Sequence, residues 1–175
     1  VSTVLDYCPR FLQRFPDVAA LAAAPQDDVL GLWSGLGYYS RARNLHRCAQ
    51  DVMERFGGAF PKTAESLQTL PGIGRSTAAA IAAFCFDERV SILDGNVKRV
   101  LTRVLGYSAD LAAAASEREL WGLAERQLPE QAQDMPAYTQ SLMDVGATLC
   151  QPRKVQCEAC PVQRLCVAHE EGQPL

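Results

Sequence analysis

From Leu70 to Ala83 the chain reads LPGIGRSTAAAIAA, and two glycines between a proline and a run of small residues leave few folds open to it. Gly72 and Gly74 reach backbone angles closed to other residues, so the segment predicts a tight turn joining two helices. Ala78, Ala79, Ala80, Ala82 and Ala83 let the second helix pack closely on its neighbours, with Leu67, Leu70 and Ile81 as expected core. Two readings stand. The segment is an ordinary interhelical turn, or it is a hairpin whose bare backbone N–H groups meet a phosphate, helped by roughly +0.5 charge at the following helix start. In the second reading Pro71, Gly72, Ile73, Gly74, Arg75 and Ser76 form a contact that ignores base sequence and holds a nucleic-acid backbone in register.

The rest of the chain repeats the pattern of short apolar-periodic segments cut by Pro or Gly, without a useful period-2 run, and this predicts an all-α protein. Helices are expected over 4–15, 18–23, 27–33, 39–55, 64–69, 75–84, 95–105, 117–127 and 137–149. Gly57 and Gly58 suit a helix stop, Ser116 with Glu119 reads as a capping box, and Pro136 fits a first turn. Val90 to Leu93 looks β-like, although four buried residues linking two helices explain it equally. Between Tyr107 and Asp144 seven acids face only Arg118 and Arg126, so the net charge of −3 becomes +2 outside that stretch. This shift predicts two lobes, residues 1–105 and 106–175. Arg41, Arg43 and Arg47 lie together, as do Lys98, Arg99 and Arg103; either group is a phosphate contact or a solvated helix face. The run from Ser76 to Phe86 is too short to cross a bilayer. Val1 carries no export-signal pattern and reads as the interior of a longer chain; a cytoplasmic, membrane-free setting is expected.

Two further features carry chemistry. Asp94, in ILDGNVKRVL, stands where a helix should begin, and two compatible readings apply. It caps the helix, and its carboxylate stabilises positive charge on a sugar whose glycosidic bond is breaking. Four of the seven cysteines, Cys150, Cys157, Cys160 and Cys166, crowd into the last 26 residues at steps of seven, three and six. Thiolates so clustered ligate zinc or an iron-sulfur cluster, and spacing alone does not choose between them. Cys8, Cys48 and Cys85 read as buried small hydrophobes.

A glycine hairpin, an aspartate about twenty residues later and a terminal cysteine array come in the order of the helix-hairpin-helix DNA glycosylase superfamily. Within it, GLWSGLGYYSRARNLH and ILDGNVKRVL resemble the adenine DNA glycosylase (MutY) family, with endonuclease III the nearest relative. The resemblance covers nearly the whole chain. It implies two helical lobes with a C-terminal iron-sulfur loop, and a 4Fe-4S cluster held by Cys150, Cys157, Cys160 and Cys166. It further implies a monomer, associated with the bacterial nucleoid, acting on double-stranded DNA in which adenine faces 8-oxoguanine or guanine. Asp94 would stabilise the sugar cation, Asn96 would hold the sugar or attacking water, Tyr38 would lie against the partner base or wedge beside it, and Lys98 would face the backbone. Tyr39 reads as core, and Arg153, Lys154 and Arg164 around the cysteine loop as phosphate contacts. Endonuclease III carries a nucleophilic lysine where this chain has Ser76, so the implied chemistry is hydrolysis by water without a dedicated strand-cleaving amine. No glutamate of the chain matches the family's general acid, which predicts a weakly active piece. The other readings are an endonuclease III-like glycosylase and lyase acting on oxidised pyrimidines, and a noncatalytic DNA-binding module with a structural four-cysteine site.

Overall fold

In a computed structural model that describes residues 5–173, every named element is helical, and the only β pairing is an isolated bridge between Cys150 and Val155. Val4, where the first helix is expected to start, lies outside the described residues. The longer helices are α1 (Tyr7–Arg14), α2 (Val18–Ala23), α3 (Gln26–Leu32), α4 (Tyr39–Phe56), α5 (Ala64–Leu67), α6 (Arg75–Phe86), α7 (Gly95–Leu105), α8 (Ala114–Arg126) and α9 (Met135–Asp144). A π-helical turn, Val145–Leu149, follows α9, and short 3-10 turns then lead to α10 (Val167–Glu170). No helix among the described residues is long and apolar enough to cross a membrane.

Contacts divide the chain into two compact units, one ending at Gly74 and the other starting at Arg75. The first is built on α4, against which α2 and α3 pack. Its core is Phe15, Leu21, Val29 and Ala49, bordered by Phe11, Val18 and Leu32. Gly57 takes φ +61 and its N–H returns to the carbonyl of Val52, which ends α4 as its sequence predicts. The second unit gathers Ala79, Ile92, Leu93, Val97, Leu101, Leu120, Trp121 and Ala124 into one core. Truncating a side chain as buried as Leu120 to alanine costs about 2–5 kcal/mol. Val97 and Leu101 of α7 share that core with Leu120 and Trp121 of α8.

Three local expectations change. Helix α8 begins at Ala114, with Ala113 as its N-cap, so Ser116 is buried inside the helix and makes no capping box; the good helix formers Ala114 and Ala115 extend the helix by nearly a turn. The helix expected over 137–149 ends as α-helix at Asp144 and continues as the π-turn. Of three cysteines read as buried, only Cys48 is; Cys8 and Cys85 are exposed. Val90 to Leu93 is an extended link, with Ile92 and Leu93 buried.

Candidate active site and cysteine pocket

Two anchors fix the glycine turn within the first unit. Gly72 has φ +77, and a Cβ there would stand 2.7 Å from the Cβ of Asn44 on α4, so both its angle and its packing require glycine. Just before the turn, Arg55 of α4 donates to Thr69 Oγ1 at 3.0 Å. Gly74 differs from Gly72. It is exposed, its φ is not positive, and a Cβ built on it meets nothing within 4 Å. The fold therefore makes no steric demand for glycine at 74.

In the second unit, the start of α6 meets the aspartate. Ser76 Oγ accepts the N–H of Leu93 at 3.1 Å, and this fixes the extended link one residue before Asp94. Asp94 is half-buried and extended (φ −78, ψ 176), and its Oδ1 accepts the N–H groups of Asn96 and Val97, both at 2.8 Å. The cap is real, and it occupies one carboxylate oxygen. Among the described residues, both capping bonds go to Oδ1 and none to Oδ2. The side chain of Asn96 accepts from Arg99 Nη2 at 2.8 Å. Arg75, half-exposed, lays its guanidinium 3.8 Å from the Trp121 ring centroid and bridges to Glu125 at 3.3 Å. Lys98 pairs with Glu117, and that hydrogen bond, foremost, holds the Glu117 carboxyl below the usual carboxylate range.

Tyr38 belongs to the first unit and is 75% exposed. Gly35 (φ +97) and Gly37 (φ +70) turn the loop before it, Trp33 Nε1 donates to the Gly37 carbonyl at 2.9 Å, and Tyr38 itself is held at φ +49. The Arg41 guanidinium lies 5.0 Å from its ring centroid. Beside it opens a pocket lined by Tyr7, Phe11, Leu32 and Trp33. Tyr39, read as core, is 42% exposed, because helix α4 turns His46, Cys48, Ala49 and Val52 inward instead. Arg43 and Arg47 are also exposed. The two basic groups thus part ways: Arg41, Arg43 and Arg47 face solvent, while Arg99 and Arg103 are engaged inside the fold.

Their partner is the cysteine loop. Arg99 Nε donates to the Cys150 carbonyl at 2.8 Å, and Arg103 Nη1 reaches Cys150 Sγ at 3.2 Å and the Gln151 carbonyl at 2.9 Å. Cys166 Sγ lies 3.6 Å from the Arg103 carbonyl. All four cysteines line one pocket with Val100, Val104, Leu149, Val155 and His169. Burial, and then the neighbouring thiols of Cys166, Cys150 and Cys160, push the Cys157 thiol up. Among the described residues no three such side chains form a group able to hold a single ion, although all four border the same cavity. Four thiols around an apolar space, with a guanidinium on one of them, suit a polynuclear thiolate-bound group. Arg153, Lys154 and Arg164 are exposed on the surrounding loop. Sequence reading missed Asn44, Arg55 and the internal role of Arg99 and Arg103, whose partners lie far along the chain.

Known proteins of similar sequence carry glycosylase names. An adenine DNA glycosylase of Mus musculus is 47% identical over 174 residues, covering 99% of this chain and 33% of that protein. One of Buchnera aphidicola subsp. Schizaphis graminum is 40% identical, covering 98% of the chain and 49% of the protein, so the chain spans a third to a half of these relatives. Among solved structures, a thermostable thymine-DNA glycosylase superposes with TM-score 0.85 at 28% identity, over 96% of this chain and 76% of that one. An endonuclease III–DNA complex reaches 0.79 at 21% identity, over 98% and 78%, and shares the fold. The sequence profile of HhH-GPD superfamily base excision DNA repair proteins matches residues 1–126, most of the chain, and the chain belongs to that superfamily.

Proposed function

We propose that this chain is the hairpin and cluster-bearing part of a DNA glycosylase that removes adenine opposite 8-oxoguanine or guanine from duplex DNA, working as a monomer. The observation that carries the reading is the hydrogen bond from Leu93 N–H to Ser76 Oγ, which ties the start of the hairpin's second helix to the Asp94 segment. A strand held at the start of α6 then brings a sugar toward the carboxylate. Flipping the nucleotide out costs a few kcal/mol, and Tyr38 fills the space left in the stack. As the glycosidic bond to adenine breaks, the sugar becomes cationic, and Asp94 stabilises that charge through the oxygen its capping bonds leave free. Water attacks the sugar carbon and loses a proton, while the bonding pair of the broken C–N bond leaves with the base, which takes up a proton to become neutral adenine. Asn96 orients the sugar or the water.

Cys150, Cys157, Cys160 and Cys166 would hold a 4Fe-4S cluster, which supplies a cross-link to a loop otherwise built of short turns. Arg103 offsets thiolate charge at Cys150, and Arg153, Lys154 and Arg164 are free to meet phosphate. Ser76, tied to a backbone N–H, offers no amine for a lyase, which disfavours the endonuclease III-like alternative.

The test is single-turnover base release by the natural gene product carrying this chain, on duplexes with adenine opposite 8-oxoguanine. Adenine release leaving an abasic site is expected, without rapid borohydride trapping. Absence of release, or trapping with strand cleavage on oxidised pyrimidines, overturns the assignment. Iron and sulfide analysis of anaerobically purified protein should find both; zinc alone rejects the cluster.

A further inference from the structure

We infer that Gly146 is a positioning residue for the Asp94–Asn96 segment, and that the π-helical turn exists to place it there. The chain approaches α7 more closely at Gly146 than a side chain allows. A Cβ on Gly146 would stand 2.8 Å from Asn96 Cβ, 3.1 Å from the Asn96 carbonyl oxygen and 3.2 Å from its carbon. None of these atoms is the loose end of a flexible side chain, so a substituent at 146 moves the first turn of α7 or the π-turn itself. Gly146 is buried, and its φ is not positive, so contact rather than backbone angle demands glycine.

The wide turn sets this register. Cys150 N–H bonds to the Val145 carbonyl at 2.7 Å, five residues back, where an α-helix would reach four. The carbonyls left over are taken up by side chains: Arg99 Nη2 donates to Gly146 O at 2.7 Å, Gln151 to Ala147 O at 3.0 Å and Gln156 to Thr148 O at 2.9 Å. The same Arg99 Nη2 also holds Asn96 Oδ1 at 2.8 Å. The backbone of Gly146 and the side chain of Asn96 therefore share one donor and touch directly. Asn96 N–H is one of the two that grip Asp94 Oδ1, so displacement at 146 passes to the carboxylate through a single residue. A π-turn inside a helix is rare, and such turns gather at functional sites. Here it brings the chain at Gly146 against Asn96 without a side chain between them.

The consequence for catalysis rests on the proposed role of Asp94 and Asn96, and the experiment separates the two. Gly146→Ala in the natural gene product is compared with the parent in two measurements. One is hydrogen exchange of the Asn96 and Val97 amides. The other is single-turnover adenine release, with affinity measured on a duplex bearing an uncleavable 2′-fluoro-adenosine. Exchange about tenfold faster, release slower by about ten- to a hundredfold and affinity within about twofold are expected, because the segment loosens while the hairpin grip is unchanged. If Gly146→Ala does not fold, the double variant with Asn96→Gly, which removes the nearest clashing atom, is expected to restore folding, and a double variant that also fails to fold overturns the inference. Parent-like exchange and release in Gly146→Ala overturn the inference. Faster exchange in a protein whose parent releases no adenine supports the packing link and overturns the glycosylase reading instead.

Discussion

Two helices begin at residues expected to touch DNA, and they begin in opposite ways. Helix α7 starts from Asp94, in relaxed extended backbone, with two N–H groups satisfied by the same carboxylate that would face a sugar. Helix α4 starts from Tyr38, in left-handed backbone at φ +49, with no side-chain cap and three-quarters of its surface exposed. At Asp94 the fold holds one oxygen of the carboxylate whose other oxygen the proposed chemistry would use, so positioning costs little. At Tyr38 it costs more. A non-glycine residue at positive φ costs of order 1–3 kcal/mol, and the ring, with the Arg41 guanidinium 5.0 Å from its centroid, stays three-quarters exposed. A charged group can be preorganised by its own hydrogen bonds, whereas a stacking group must be held out in water until a base arrives.

The largest expected effect tests whether capping and catalysis can be separated at Asp94. Asn is as good an N-cap as Asp, so Asp94→Asn should melt within about 1 kcal/mol of the parent while base release falls by about 10²–10³. Asp94→Ala should lose release similarly and also cost about 1 kcal/mol of stability. Denaturant melts beside single-turnover rates give both numbers. An active Asp94→Asn protein would reduce the residue to a helix cap and remove the asymmetry with Tyr38.

The next effect belongs to Tyr38 and has two parts of opposite sign. Losing the ring should weaken binding to mispaired duplex by about 1–3 kcal/mol in both Tyr38→Ala and Tyr38→Gly. Only glycine relieves the left-handed backbone, so Tyr38→Gly should be the more stable of the two by about 1 kcal/mol. Equal stabilities would show that the loop relaxes around any residue and stores no strain. Parent-like binding by both would leave the exposed ring without a use.

What was legible in the sequence follows the range of the interactions. Helices α2 and α7 are read to the residue, because Asp17 and Asp94 cap them locally and the apolar period is unbroken. Gly72 and Gly57 declare themselves by needing positive φ. The hairpin, Asp94 and the four cysteines could be picked out for the same reason, each being a short word with its own chemistry. Arg99, Arg103 and Gly146 could not. Arg99 reaches Gly146 across 47 residues and Cys150 across 51, and nothing near it in the chain separates an arginine bound for a carbonyl from one bound for phosphate. The partners of Arg75 were equally hidden from the sequence, since Trp121 and Glu125 reach it from α8. The capping box at Ser116 fails because propensity in the preceding alanines outweighs one cap.

The smallest effect concerns Lys98, the cation next to Asp94 that is occupied when DNA is absent. Its pair with Glu117 is largely exposed on the acid's side, so it contributes no more than about 1 kcal/mol. Glu117 is held below its ordinary value by the Lys98 hydrogen bond, so the pair's contribution is fully present above the unfolded value near 4.3. It fades as pH falls through the lower folded value. Glu117→Gln should therefore leave stability at neutral pH slightly reduced, and the parent's advantage should shrink progressively as pH falls below about 4.3. Freed of its partner, Lys98 is available to phosphate, and removing an acid beside it lowers repulsion of the strand. Affinity for duplex should rise a few-fold. If Lys98 exchanges Glu117 for phosphate on binding, the parent already uses it, and the plot of log affinity against log salt keeps its slope. If the pair holds Lys98 back, the slope steepens in Glu117→Gln by about one phosphate, near 0.9. Binding titrations across salt decide between an exchanged cation and a withheld one. An affinity unmoved at every salt concentration would place Lys98 with Arg99 and Arg103, as a cation spent within the fold rather than on the strand.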